Sequence, residues 1–478
     1  MPSFLSLIRH HLLRAALTLA AAAPMLAQAA QPATVRLDYL HSGNALTETY
    51  AIERVVIEPL PWPGDMSRTL DDTNRGVNKV EVYDAKSGKL LYSRGFSTVF
   101  GEWRSTDEAA HGNRGFEESV RFPKPDRPVH VRILKRDERN EFAVVWSVDV
   151  DTDAMDVVRK QGPAPAKPIP IRVSGPSPDK VDLLILGDGY TQAEMGKFEA
   201  TARRMADHLF SVSPFRERAG DFNVWAMAVP TQESGVSRPS TGVHHASSLG
   251  ARYDIFGSER YVLTTDNRAL RELAQYAPYE FIEILVNNDT YGGGGIFGQF
   301  STAAANNEWA NYLFVHEFGH HFAGLADEYY TSPVAYQSDG QLLEPWEPNA
   351  TALRDPANLK WKKFVKDGTP LPTPWPKAEY DEHARVYQKE RAELRKANRP
   401  ESEMNALFRA DLEYTNQLFS RDPHLHQVGA FEGADYESTG YFRPEMQCMM
   451  FDRSGAFCAV CRDAISAIID LYSRPAGR

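Results

Sequence analysis

Apolar and polar positions alternate along the first third of the chain, and a period of two is the mark of strands. KVEVY (79–83) and LLY (90–92) flank the turn-type loop DAKSG and predict a hairpin. VHVRIL (129–134) and FAVVWSV (142–148) predict a second pair around KRDERN. Residues 31–160 therefore read as a β-rich N-terminal domain, sandwich-like in its strand spacing. QGPAPAKPIPIRVSGPSPDK (161–180) is proline-rich and extended, as expected of a linker. The pattern then changes. VDLLIL (181–186) is a continuous apolar run, as in a buried strand, and Thr191 and Glu194 stand at capping-box spacing before a helix. Strand, turn and helix open an α/β domain over 181–478.

Within that domain EFIEILV (280–286) predicts another strand. YGGGGIFGQFSTAAANN follows, without the lysine and hydroxyl of a phosphate loop. It reads as a flexible loop leading into an edge strand that can pair with an extended peptide. Residues 308–325 have helical periodicity. Residues 378–420 form a charged helical stretch broken near Pro400, within a helical insertion of about 342–430. The fold class expected is α+β.

Composition narrows the setting. Arg9 and Arg14, the apolar run AALTLAAAAPMLAQAA and the A-x-A triplet at Ala27–Ala29 make residues 1–30 read as a signal peptide. The remainder has no run long enough for a membrane span, so an exported protein, periplasmic or extracellular and without stable membrane insertion, is expected. A net charge of −11 argues against a nucleic-acid partner. The sequence carries no mark of an oligomeric state.

VHEFGHHFAGLADEYY (315–330) carries the chemistry. Residues four apart share a helix face, so His316 and His320 can grip one metal ion with Glu317 beside it. Two imidazoles, a carboxylate and an open position suit zinc, one ion per chain, and Glu317 is the expected general base for hydrolysis of a protein or peptide. Gly324 is the expected helix stop. Asp327 keeps a Gly-x-x-ligand spacing and is the favoured third ligand, with Glu328 as the alternative. His321, about 100° around the helix, reads as structural, and Tyr329 and Tyr330 as packing residues with a possible oxyanion role.

HEFGHHFAGLAD resembles the metzincin pattern HExxHxxGxxD, except that the glycine arrives one residue late. With that spacing, HEFGHHFAGLADEYY is similar to the M64 family of metallopeptidases, named for an IgA peptidase. VDLLILGDGYT, the glycine-rich segment and GYFRPEMQCMMFDRSGAFCAVC are similar to the same family. The resemblance implies a metzincin-like zinc peptidase fold, His316, His320 and a carboxylate after Gly324 as ligands, and Glu317 as base. It implies a Met-turn beneath the metal, for which Met449 and Met450 are the candidates and Met450, at the family's Cys-x-Met spacing, the favoured one, but no specificity for IgA.

Cys448, Cys458 and Cys461 are the chain's three cysteines. They admit a redox C-x-x-C pair, a second zinc site, or a structural disulfide with one thiol over. The disulfide is the expectation for an exported chain. His424 and His426 read as an isolated H-x-H. Other classes fare poorly. No motif selects a glycosidase carboxylate pair, and GDGYT has Gly189 where an esterase would need serine. The rival reading is a non-catalytic zinc-containing binding protein, against which the retained Glu317 speaks.

Overall fold

The strand pattern of the first third folds into two antiparallel sheets around one core. The computed structural model describes residues 31–159, 162–332 and 342–473; the leader expected over 1–30 lies outside them. β1 (Ala33–Gly43) pairs with β2 (Glu48–Pro61). β3 (Asn78–Asp84) and β4 (Leu90–Phe96) form the first expected hairpin. β5 (Arg114–Pro123) completes the order β2-β1-β5. β6 (Val129–Arg136) and β7 (Phe142–Val150), the second expected pair, complete β4-β3-β6-β7. Val35, Leu37, Val120 and Phe122 of the first sheet share a core with Val80, Val82, Val131 and Ile133 of the second.

Two short helices follow β4: α1 (Val99–Arg104), capped by Thr98, and α2 (Asp107–His111), capped by Thr106. Phe100 and Trp103 of α1 are fully buried in the core of the larger C-terminal part. Charge crosses the same junction. Buried Arg36 meets Asp38 at 2.8 Å and Glu272, from the C-terminal part, at 3.0 Å.

The proline-rich stretch is more than a linker. Within it β8 (Ile169–Arg172) forms an edge strand, the position where a residue without an N–H, here Pro170, is tolerated. β9 (Val181–Asp188) is buried at every position. The capping box forms, with Glu194 Oε2 accepting from the Thr191 N–H at 3.0 Å, and α3 (Met195–Leu209) follows. β10 (Phe222–Ala228), α4 (Asn267–Ala274), β11 (Phe281–Val286), β12 (Gly293–Ile296) and β13 (Phe300–Ala304) lead to α5 (Ala310–Ala323). The sheet order is β12-β13-β11-β9-β10-β8, its four inner strands parallel and both edges antiparallel. α5 packs on β12 and β13 and touches α3 and α8 (Ala459–Tyr472).

The charged stretch forms α6 (Lys377–Lys396) and α7 (Glu401–Phe419), separated at Pro400 as expected. A hairpin of β14 (Phe431–Ala434) and β15 (Glu437–Arg443) precedes the turn that carries Met450. None of the helices among the described residues is long and apolar enough to cross a membrane.

Candidate metal centre and cleft

α5 is apolar around most of its circumference and largely buried, so its histidines are held by packing on several sides. His316 and His320, one turn apart, bring their Nε2 atoms to 3.3 Å. His316 Nδ1 lies 2.9 Å from the Met449 carbonyl oxygen and His320 Nδ1 lies 2.6 Å from that of Leu325. A carbonyl only accepts, so each Nδ1 is a donor, and each ring in its neutral form turns an Nε2 lone pair to the pocket.

Gly324 makes the third donor reachable. It ends α5 in the left-handed region at φ 59°, its N–H donating to the His320 carbonyl at 3.0 Å. The chain reverses, and Asp327 Oδ1 arrives 3.1 Å from His316 Nε2 and 3.2 Å from His320 Nε2. The distances are those of ion pairs, and Oδ1 is buried without a hydrogen bond of regular geometry. Three potential ligand atoms thus converge with edges of 3.1–3.3 Å. Ligands about 2.0–2.1 Å from a tetrahedral zinc would be about 3.3 Å apart, so the donor set fits that ion. The pocket calls for positive charge. Burial opposes protonation of His320, but Asp327 outweighs it and raises the imidazole to about 9. Burial likewise acts against the Asp327 carboxylate, and His320 and His316 hold it well below its ordinary value.

Glu317 is half-buried, and burial pushes its carboxyl up, opposed by His316 and His320. The glycine run explains its setting. A Cβ on Gly293 would lie 3.1 Å from Glu317 Oε1, and one on Gly295 only 2.5 Å from the Glu317 carbonyl oxygen. The expected flexible loop is thus a close-packed edge strand whose missing side chains admit α5. Its outer side is partly taken, Gly293 exchanging hydrogen bonds with Arg260 and Val262. His316, Glu317, His320 and Asp327 open onto a cleft of about 440 Å³, walled by α1, β12, the α6–α7 insertion and the loops around Trp346 and Tyr436.

The two candidate carboxylates diverge. Asp327 faces the histidines, and its Oδ2 accepts from the Tyr436 hydroxyl. Glu328 turns the other way, Oε1 lying 3.3 Å from Cys461 Sγ and 3.7 Å from Cys458 Sγ. Met450 is fully buried under α5, its Sδ 3.1 Å from where a Cβ on Gly319 would stand. Tyr329 stacks near His316, ring centroids 6.3 Å apart, and its hydroxyl accepts from Arg260 at 3.0 Å. Tyr330 points to Asp381 of α6. His321 is a core residue. Nδ1 donates to the Ile296 carbonyl and Nε2 accepts from the Ile282 N–H, each at 3.1 Å, while burial pushes the ring down to about 3 and keeps it neutral. His424 bonds Gln427 within a turn.

The expected disulfide is absent: all three cysteines are free, buried thiols grouped around Glu328, whose sulfur contacts no sequence spacing announced. Tyr436 and Arg260 also escaped the sequence reading, lying 109 and 69 positions from their partners with no motif to mark them.

Helix-borne histidines flanking a glutamate, with a carboxylate folded back to them in a cleft beside a strand edge, form the donor set of a metal-dependent hydrolase. Residues 169–469 match the family described as IgA Peptidase M64, and residues 26–147 match its N-terminal part, Peptidase M64 N-terminus. The chain belongs to this family of metallopeptidases and is a peptidase, acting on protein or peptide. No curated protein matches it.

Proposed function

We propose that this peptidase is an exported, zinc-dependent endopeptidase. Residues 181–478, with β8 added at the edge of their sheet, make up a metzincin-like catalytic domain, and the β-rich domain of 31–160 precedes it. One observation carries the reading: His316 Nε2, His320 Nε2 and Asp327 Oδ1 converge within 3.1–3.3 Å of one another, beside Glu317. Export rests on the character of residues 1–30.

His316, His320 and Asp327 hold the ion, with their second hydrogen bonds fixing orientation. When bound, the zinc lowers the pKa of water to about 7 and polarises the scissile carbonyl. A Glu317 carboxylate oxygen accepts the proton of the attacking water and returns it to the leaving amide nitrogen. An extended substrate adds to the outer edge of β12 beyond Gly293, its backbone pairing with the strand. Met450 supplies an apolar floor under α5. Cleavage of a denatured protein by the purified chain tests the reading. Activity should vanish on chelation and return with zinc; cleavage that persists in the metal-free protein would remove it.

A further inference from the structure

The second carboxylate and the three cysteines form a cluster that the proposed peptidase chemistry leaves unused. One ligand atom from each of Glu328, Cys448, Cys458 and Cys461 can be chosen so that all lie within 4.8 Å of one another, and all four side chains are buried. Cys448 Sγ and Cys461 Sγ are 3.7 Å apart, and Glu328 Oε1 lies 3.3 Å and 3.7 Å from the sulfurs of Cys461 and Cys458. Around a tetrahedral zinc with bonds of about 2.3 Å to sulfur and about 2.0 Å to oxygen, such edges are about 3.8 Å and about 3.5 Å. We propose that Cys448, Cys458, Cys461 and Glu328 form a second metal site, closed by four protein ligands and taking a structural zinc ion.

Backbone donors face two of the three sulfurs. Cys458 caps α8 and Cys461 sits in its first turn, where helix N–H groups stabilise negative sulfur. The Cys458 N–H donates to Cys448 Sγ at 3.3 Å and the Cys461 N–H to Cys458 Sγ at 3.4 Å. A separate observation points the same way. Glu328 Oε1 is oriented by Asn349 Nδ2 at 2.9 Å, while its buried Oε2 has no partner among the described residues. A disulfide between any two cysteines would leave the third sulfur and this carboxylate enclosed together. Metal entry forms bonds to three sulfurs and one oxygen and releases the thiol protons to solvent, with no change of oxidation state.

Position gives the site its use. Glu328 follows Asp327, and Cys448 stands two residues before Met450. A metal at the cluster would fasten the segment bearing the proposed third ligand to the turn under α5. The site itself requires no catalytic metal.

Cobalt(II) tests this in the full chain, because cobalt bound by sulfur shows an intense near-ultraviolet charge-transfer band that His316, His320 and Asp327 cannot produce. The wild type should bind two cobalt ions and show the band. His316→Ala/His320→Ala should bind one and keep the band in full. Cys461→Ser should lose a metal and shift or weaken the band, with folding checked by circular dichroism. Thiol titration of the denatured, chelated wild type covers the case in which the serine variant does not fold. Three thiols together with the band support the site. Three thiols without the band overturn it, and so does a single thiol, which means a disulfide.

Discussion

The backbone N–H of Glu328 donates to the carbonyl oxygen of Met450 at 2.8 Å. The preceding carbonyl, that of Met449, accepts from His316 Nδ1 at 2.9 Å. Two successive carbonyls of one turn thus orient two of the three converging donors, one by fixing the Nδ1 side of an imidazole and the other by anchoring the segment that bears Asp327. The third donor, His320, takes its orientation from Leu325, just beyond Gly324. Packing beneath the helix and the alignment of the donors are therefore one problem, since moving the turn moves both.

Glu317→Gln keeps size and shape but removes the proton acceptor. General-base catalysis contributes about 10²–10⁴-fold, so kcat should fall by about that much while zinc content stays at the wild-type level. Cleavage of a denatured protein with elemental analysis of the same sample checks both. Unchanged turnover would take the base away from Glu317.

Tyr436→Phe removes the hydroxyl that donates to Asp327 Oδ2. Outer partners of ligands are worth about 10–100-fold in metal affinity or activity, and a loss of that order is expected in zinc competition against a chromogenic chelator. Wild-type affinity in the variant would mean that Asp327 is oriented by its backbone alone, through the Asp435 N–H that donates to its carbonyl at 2.9 Å.

The sequence already held what is local. Alternation marked both N-terminal hairpins, the capping box marked the start of the helix before α3, and HExxH with Gly324 marked α5 and its stop. Asp327 was legible because a left-handed glycine returns the chain to the helix within three residues. Contacts closed over long separations were not legible. Tyr436 reaches Asp327, and Glu328 meets three cysteines, only once the β14–β15 hairpin and α8 have docked. Residues 161–180 read as a linker because proline suppresses the strand signal, although an edge strand such as β8 accommodates it. The glycine run reads as flexibility, since nothing in the sequence reveals that α5 lies against it.

Gly295→Ala should show what that run is for. The added methyl would stand 2.5 Å from the Glu317 carbonyl oxygen and 2.9 Å from His320 Cβ, so backbone must shift. Overpacking of this kind costs about 1–3 kcal/mol, and because the atoms displaced belong to the donor helix, activity should fall together with thermal stability. Gly196→Ala in α3 is the control. A Cβ there meets nothing within 4 Å, and replacing a helical glycine should be neutral or gain about 0.5–1 kcal/mol. Equal stabilities for the two variants, measured by calorimetry, would refute the close-approach account.

His41 ties the N-terminal sheets to the wall of the cleft and gives the junction a pH dependence. It is buried between the rings of Tyr50 and Phe100, with Nδ1 3.0 Å from Glu118 Oε2 and Nε2 3.1 Å from Glu48 Oε2. Burial opposes its charge, but Glu118 and Glu48 outweigh that and raise its pKa. Glu48 also meets Lys135 at 2.7 Å and Arg104 of α1 at 3.4 Å, so the array alternates in sign. A folded-state pKa above the unfolded value means that the folded protein binds the proton more tightly. This stabilisation is complete below the unfolded pKa of about 6.5 and is lost as pH rises through the folded value. His41→Gln should therefore lower the melting temperature more at about pH 5.5 than at about pH 9. Glu118 Oε1 accepts from the Phe100 N–H at 3.0 Å, at the start of α1, so the acidic-side loss should come with looser packing of α1, read as faster amide exchange there. A melting-temperature gap that is constant with pH, or that widens toward alkaline pH, would show that His41 is neutral in the folded protein and acts through ring packing alone.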